Sequence, residues 1–218
     1  MSTLSGITLA LDAAAAMGTV AVLRDRAVLA EGEAVMRSGH SDFLLPTIDA
    51  VLKRAGVSVA DVTSIVCGSG PGSFTSLRIA GSIAKGIAHA REIPLLAVSS
   101  LALIVAAKPR AAGRYLAALD ALRGEHYAAA ITVGADGRVV TEDPFELIAS
   151  GELTEVARTR EATLLVAGSD RETAPHARGV ALVDATVVDL ASWEPRYGRL
   201  AEAQVKWEAQ HGRPLATG

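Results

Sequence analysis

Twice along the 218 residues an apolar run stops at an aspartate and gives way to two further short apolar segments. The first set is Ile7–Asp12, Thr19–Leu23 and Ala27–Val35, with Asp25-Arg26 as a polar turn. The second is Arg114–Asp120, Glu125–Val133 and Arg138–Glu142, and its last turn holds the hairpin-favouring pair Asp136-Gly137. Short apolar runs bounded by turn residues read as strands, and three strands joined so tightly form an antiparallel meander.

After each meander the period changes. Leu44, Ile48, Val51 and Ala55 recur at helical spacing, and Gly56 stands where a helix stops. Pro46 inside this pattern means either a late first turn or a kink. Then come a strand at Ser64–Cys67, a loop at Gly68–Gly72 and a helix from Ser73 to Ala90, followed by a strand at Pro94–Val98 and a helix at Ser99–Ala107. On the long helix Ile79, Ile83 and Ile87 line one face, while Leu77, Ala80, Ala84 and Ala88 line another, which predicts burial on both. Gly81 and Gly86 would admit a closely packed neighbour.

The second half repeats less of this, with a helix expected over Glu146–Arg158 and a strand over Thr163–Ala167. The order βββαβα thus occurs once in full and once abbreviated. It predicts an α/β protein of two lobes, 1–108 and 109–218, divided around Pro109 and Gly113. Two such units side by side make the actin-like, or sugar-kinase-like (ASKHA), architecture. A charged amphipathic helix, Leu200–Gln210, with Val205 and Trp207, is expected near the end.

The segment with chemical potential is Gly70-Pro71-Gly72-Ser73-Phe74-Thr75-Ser76-Leu77-Arg78-Ile79-Ala80. A glycine-rich turn between strand and helix frees N–H groups beside a helix N-terminus and suits an anion. Equally, it makes a tight turn whose helix is capped by Ser73 or Thr75, with no ligand. It lacks the lysine of a P-loop.

Several function classes are disfavoured. The net charge is −3 and the basic residues form no stripe, so autonomous binding to RNA is not expected. Aromatics at 4% supply no stacking platform. The five histidines, His40, His89, His126, His176 and His211, are all more than four residues apart, and Cys67 is alone, so no metal-ligand spacing exists. His40-Ser41-Asp42 are adjacent residues and read as a helix start rather than a triad. Cys67 reads as a small buried hydrophobe. Nothing resembles a secretory leader or an apolar stretch of ~18 residues, and a cytoplasmic chain is expected.

The Gly70–Ala80 segment resembles the GPGSFTGLRIG signature of the TsaB (YeaZ) family, with Ser76 and Ala80 in place of glycines. Leu9-Ala10-Leu11-Asp12 resembles the family's opening strand and Ser99-Ser100-Leu101 its serine–leucine step. Pro195-Arg196-Tyr197-Gly198-Arg199, followed by Lys206-Trp207, resembles its close, and Asp120 with Arg123–Tyr127 resembles the opening of its second lobe. In active relatives of this fold an acid at the position of Asp12 organises a metal-bound nucleotide, and hairpin hydroxyls hold phosphate. Here Ala13-Ala14-Ala15-Ala16-Met17 follows Asp12, and alanine cannot donate to phosphate.

The resemblance implies a non-catalytic subunit of the machinery that installs threonylcarbamoyl on N6 of a tRNA adenosine. It would need no cofactor and no metal. It would bind a TsaD-like catalytic subunit and a TsaE-like ATPase, meet tRNA only through that complex, and pair with itself when alone. Leu44, Ile48, Val51, Leu52, Leu77 and Ile83 are the expected docking residues, because their helices carry more apolar surface than one lobe needs. Gly70, Pro71, Gly72, Ser73, Thr75 and Arg78 are the expected anion or nucleotide contacts. The alternatives are an independent actin-like ATPase or small-molecule kinase, and a metallopeptidase.

Overall fold

In the computed structural model, residues 4–36, 44–142, 144–168, 173–199 and 210–212 are described. His40 and nearly all of the helix expected at Leu200–Gln210 lie outside them.

The first meander is β1 (Ile7–Asp12), β2 (Met17–Arg24) and β3 (Ala27–Val35). Helix α1 (Leu44–Arg54), β4 (Val62–Gly68), α2 (Phe74–Arg91), β5 (Leu95–Val98) and α3 (Ser100–Ala106) follow. The second half gives β6 (Gly113–Asp120), β7 (Glu125–Val133), β8 (Val139–Thr141), β9 (Glu146–Ala149), α4 (Leu153–Thr159), β10 (Thr163–Val166) and β11 (Thr186–Val187).

Six strands form one sheet in the order β11-β5-β4-β1-β2-β3, and a second sheet runs β10-β6-β7-β8 with β9 also on β7. In each sheet the first strand of the meander pairs in parallel with the strand after the helix, β1 with β4 and β6 with β10. The two-lobed actin-like order is therefore present, the second copy shortened. β11 lies antiparallel to β5, so the second half of the chain also contributes to the first sheet.

Alternation within buried strands places the layers. Ile7, Leu9 and Leu11 of β1 pack with Leu44, Ile48, Val51 and Leu52 of α1 and Ala80, Ala84 and Ala88 of α2. Ala10 faces the other way, into a core shared by α3 and by Tyr115, Ala117, Leu119, Ala129 and Ile131 of the second sheet. All seven residues of α3 are buried, since this helix lies between the two sheets. Helix α4 covers the far side of the second sheet through Leu153 and Ala157.

Two local expectations differ from the observed chain. Pro46 falls in the first turn of α1, where its missing N–H costs no helical bond, so the helix starts before the proline. Glu146–Ala149 is a strand on Glu125–Ala128 rather than the first turn of a helix, and α4 starts at Leu153. A four-residue run with three apolar positions fits either period, and the open edge of β7 decides it.

Candidate functional site

Strands β1, β4 and β5 are parallel, so their carboxyl ends meet at one edge of the sheet, where open α/β sheets place ligands. Asp12 ends β1, Gly68 ends β4, and Ser99 and Ser100 follow β5. Asp12 is fully buried. One carboxylate oxygen accepts the Ala14 N–H at 2.9 Å, and the other accepts the Ser100 hydroxyl at 2.5 Å. Ser100 Oγ in turn accepts the Gly70 N–H at 3.1 Å, and the Ser100 N–H donates to Gly70 O at 3.1 Å. Burial pushes the Asp12 carboxyl up to about 6, against the two hydrogen bonds, which favour its charged form. Burial, together with the charge of Asp12, also raises the Cys67 thiol, which is fully enclosed.

Gly68 is small because Asp12 stands over it. A Cβ built there would lie 1.9 Å from Asp12 Oδ2. Gly72 is small for a different reason. The β1–β2 turn lies directly against it, Ala14 O only 2.3 Å from a built Cβ, and the Ser73 N–H donates to Ala14 O at 2.9 Å. The β1–β2 turn and the Gly72–Ser73 loop thus touch backbone to backbone.

The expected anion contacts are gathered around this junction, though not as a cradle. The Gly70–Pro71 peptide is cis, and Gly70 has a positive φ of 83°. Ser73 occupies the N-cap of α2, but its hydroxyl pairs with Ser76 at 3.0 Å rather than capping the helix. Thr75 is exposed in the first turn. Arg78 is exposed, its guanidinium 4.2 Å from the Phe74 ring and 5.3 Å from that of Tyr197, with Nε donating to the Tyr197 hydroxyl at 3.3 Å.

Tyr197 belongs to a strap, Trp193–Arg199, that the sequence does not announce as an element. It crosses α2 at Gly81, where Pro195 and Trp193 sit against the bare backbone, and Lys85 donates to Trp193 O at 3.0 Å. The Arg196 N–H donates to Ser69 O at 2.7 Å. Gly198 lies on the Tyr127 ring and Arg199 pairs with Glu125, both residues of β7. The close approach expected at Gly81 is therefore made by an extended segment, whereas Gly86 meets nothing.

The six expected docking residues have a different geometry from the one the sequence suggested. Leu44, Ile48, Val51, Leu52 and Leu77 are all buried within this chain. Strands β1–β3 supply the complementary face for the four α1 residues and Leu77 enters the core between the two sheets, so those side chains are not surplus. Ile83 alone remains half-exposed, in a row with the half-exposed Ile79 and Ile87 along α2. Leu45 of α1 is 58% exposed on the same side of the sheet.

Among the described residues no group of three or more His, Cys, Asp or Glu side chains could hold a metal ion. No helix among them is long and apolar enough to cross a membrane. His176 is buried, its Nδ1 accepting the Arg178 N–H at 3.1 Å and its Nε2 3.6 Å from Glu33. Sequence reasoning missed Ser100 as the partner of Asp12, although the Ser99-Ser100-Leu101 step had singled it out.

The family model described as TsaD, tRNA N6-adenosine threonylcarbamoyltransferase, matches residues 34–173. The chain is 39% identical over 121 residues to the tRNA threonylcarbamoyladenosine biosynthesis protein TsaB of Escherichia coli, a match covering 55% of this chain and 52% of that protein. To the protein of the same name from Bacillus subtilis it is 27% identical over 213 residues, covering 86% of this chain and 92% of that one. The match thus spans about half the length of the first relative and nearly all of the second. Among solved structures, YeaZ from Pseudomonas aeruginosa superposes with a TM-score of 0.71 at 26% identity, over 89% of this chain and all of that one. The signature at Gly70–Ala80, the paired βββ meanders and these matches agree: the chain belongs to the TsaB/YeaZ family, within the broader group that the TsaD family model describes.

Proposed function

We propose that this chain takes part in making N6-threonylcarbamoyladenosine in tRNA as a non-catalytic subunit that activates a TsaD-like catalytic partner. One observation carries the absence of nucleotide chemistry. The β1–β2 turn is hydrogen-bonded to the Gly72–Ser73 loop, Ala14 O to Ser73 N at 2.9 Å, and so fills the space a phosphate would need. Asp12, the acid that would organise a metal, is enclosed and held by Ser100 and Ala14. The names of the relatives support the pathway.

The half-exposed row Ile79, Ile83 and Ile87 is the apolar strip left on α2 after its own lobe is packed, and it is the proposed docking surface for the TsaD-like partner. A second copy of the chain would use the same strip when the partner is absent. A TsaE-like ATPase would join the assembly, and tRNA would meet this chain only through it.

The test pairs binding with turnover. Ile83→Asp should weaken binding to the TsaD-like subunit of the same genome at least about tenfold. Because the side chain is only partly exposed and packs against the first core, melting temperature is measured alongside to separate lost docking from lost folding. Aspartate at Ile48 or Val51 would break the core instead and is uninformative about docking. The isolated chain should hydrolyse no ATP. Steady ATP turnover lost in Asp12→Ala would overturn the non-catalytic reading in favour of an ATPase.

A further inference from the structure

The second lobe repeats the aspartate turn of the first and uses it differently. In the first lobe Asp12 accepts the N–H two residues on, and the turn it shapes is buried against the Gly72 loop. In the second, Asp120 Oδ1 accepts the Leu122 N–H at 2.8 Å, which is the same local bond. Among the described residues nothing comparable covers that turn. Leu122 is 69% exposed, more than any other large hydrophobic residue described.

Its backbone is unusual as well. Leu122, Arg123 and Gly124 have successive φ values of 62°, 57° and 76°. Left-handed backbone is unfavourable for residues with a Cβ, and glycine or asparagine would stand at these positions without that cost. The turn is nevertheless firmly fixed. The Glu125 N–H donates to Leu122 O at 3.2 Å, the Ala121 N–H to Glu125 O at 2.9 Å, and the Ser150 N–H to Gly124 O at 2.9 Å. Glu125 is further held by Arg199. A fixed turn that holds a leucine outward in a disfavoured conformation is not explained by the stability of the chain itself, and such outliers cluster at sites of contact.

We propose that the β6–β7 turn is a plug. Leu122 enters an apolar pocket on a protein partner, and the exposed Arg123 meets carboxylates at the pocket's rim. Charge selects this occupant. Arg78, Arg123 and Arg196 are exposed around the end of the molecule that carries the strap and the turn, and no acidic partner of Arg123 is found among the described residues. The plug therefore suits an acidic rim. The inference deepens the reading of the chain as a docked subunit and rests on it. It adds a second contact, on the other lobe from the α2 strip.

The experiment measures binding of the full chain to the assembled TsaD-like and TsaE-like proteins, alongside melting temperature. Leu122→Asp and Arg123→Glu should each weaken binding about tenfold or more with folding intact. Arg123→Gly should weaken it less while raising Tm by about 2–4 °C, because glycine relieves the left-handed strain. Gain in stability with loss of binding is a pattern that a merely structural turn would not give. If Ile83→Asp abolishes binding while both charged turn variants bind as the wild type does, the plug is refuted and the docked-subunit reading stands. If the wild type itself binds neither protein, both fall. Retention of partner binding with loss of RNA binding in Arg123→Glu would also overturn the plug.

Discussion

Asp12 shows how a single buried carboxyl sets a pH dependence. Its ordinary value is 3.8 and burial raises it to about 6, so the folded chain binds a proton more tightly than the unfolded one. The stability linked to that proton is present in full below about pH 4, declines as pH rises to about 6, and is flat above. The move from 3.8 to about 6 corresponds to about 3 kcal/mol. Asn is isosteric and uncharged. Its amide oxygen can accept from Ala14 and its NH₂ can donate to Ser100. Asp12→Asn is therefore expected to raise the unfolding free energy at pH 7.5 by up to about 3 kcal/mol and to flatten the profile between pH 4 and 6, measured by urea denaturation. A variant less stable than wild type at pH 7.5 would mean the charge itself is needed, as in a cation site. The aspartate at the end of a strand was legible from the sequence. Ser100 was less so, because it reaches Asp12 only once β5 is known to lie two strands away, and sheet order is not a local property of the chain.

Among the elements, the loop before α2 and the β1–β2 turn act as a single unit. Gly72→Ala would drive a methyl group into Ala14 O, backbone against backbone, and neither side can rotate away. The expected cost is about 1–3 kcal/mol, read from the urea midpoint, with faster proteolysis of the 13–16 turn. If the variant is as stable as wild type, the turn and loop are not in contact in solution and the groove between them is open. The helices were legible by period, but which of their faces is free was not. Leu44, Ile48, Val51 and Leu52 looked surplus because the sequence does not say that β1–β3 present a matching apolar face. The strap Trp193–Arg199 has no periodicity at all, and its contacts with Gly70, Gly81 and Tyr127 are set by tertiary packing alone. Glu146–Ala149 went to the sheet because β7 offered an unpaired edge.

For the whole molecule, the segment 177–184 fastens the two sheets together. Asp184 pairs with Arg26, at the β2–β3 turn, at 2.8 Å, and with Arg138, at the β7–β8 turn. Burial works against its charge, but the two guanidinium groups win and hold its carboxyl below the usual carboxylate range. Arg178 reaches Ala107 O at 2.8 Å and Glu31 at 2.9 Å, and the Ala177 N–H donates to Thr19 Oγ1 at 3.0 Å. Because Asp184 is partly solvated, screening limits its worth, and Asp184→Ala should cost about 1–2 kcal/mol. Hydrogen exchange should quicken at Val139, whose N–H donates to Leu182 O. Unchanged protection there would show that the sheets are held by α3 without this ion pair.

The clamp around Asp184 has a mechanical consequence. The two sheets are bolted at their hairpins by Asp184 and wedged apart by α3. A body so braced offers any visitor one outline, spends little entropy on settling into an embrace, and leaves a wedge-like inhibitor no seam to prise.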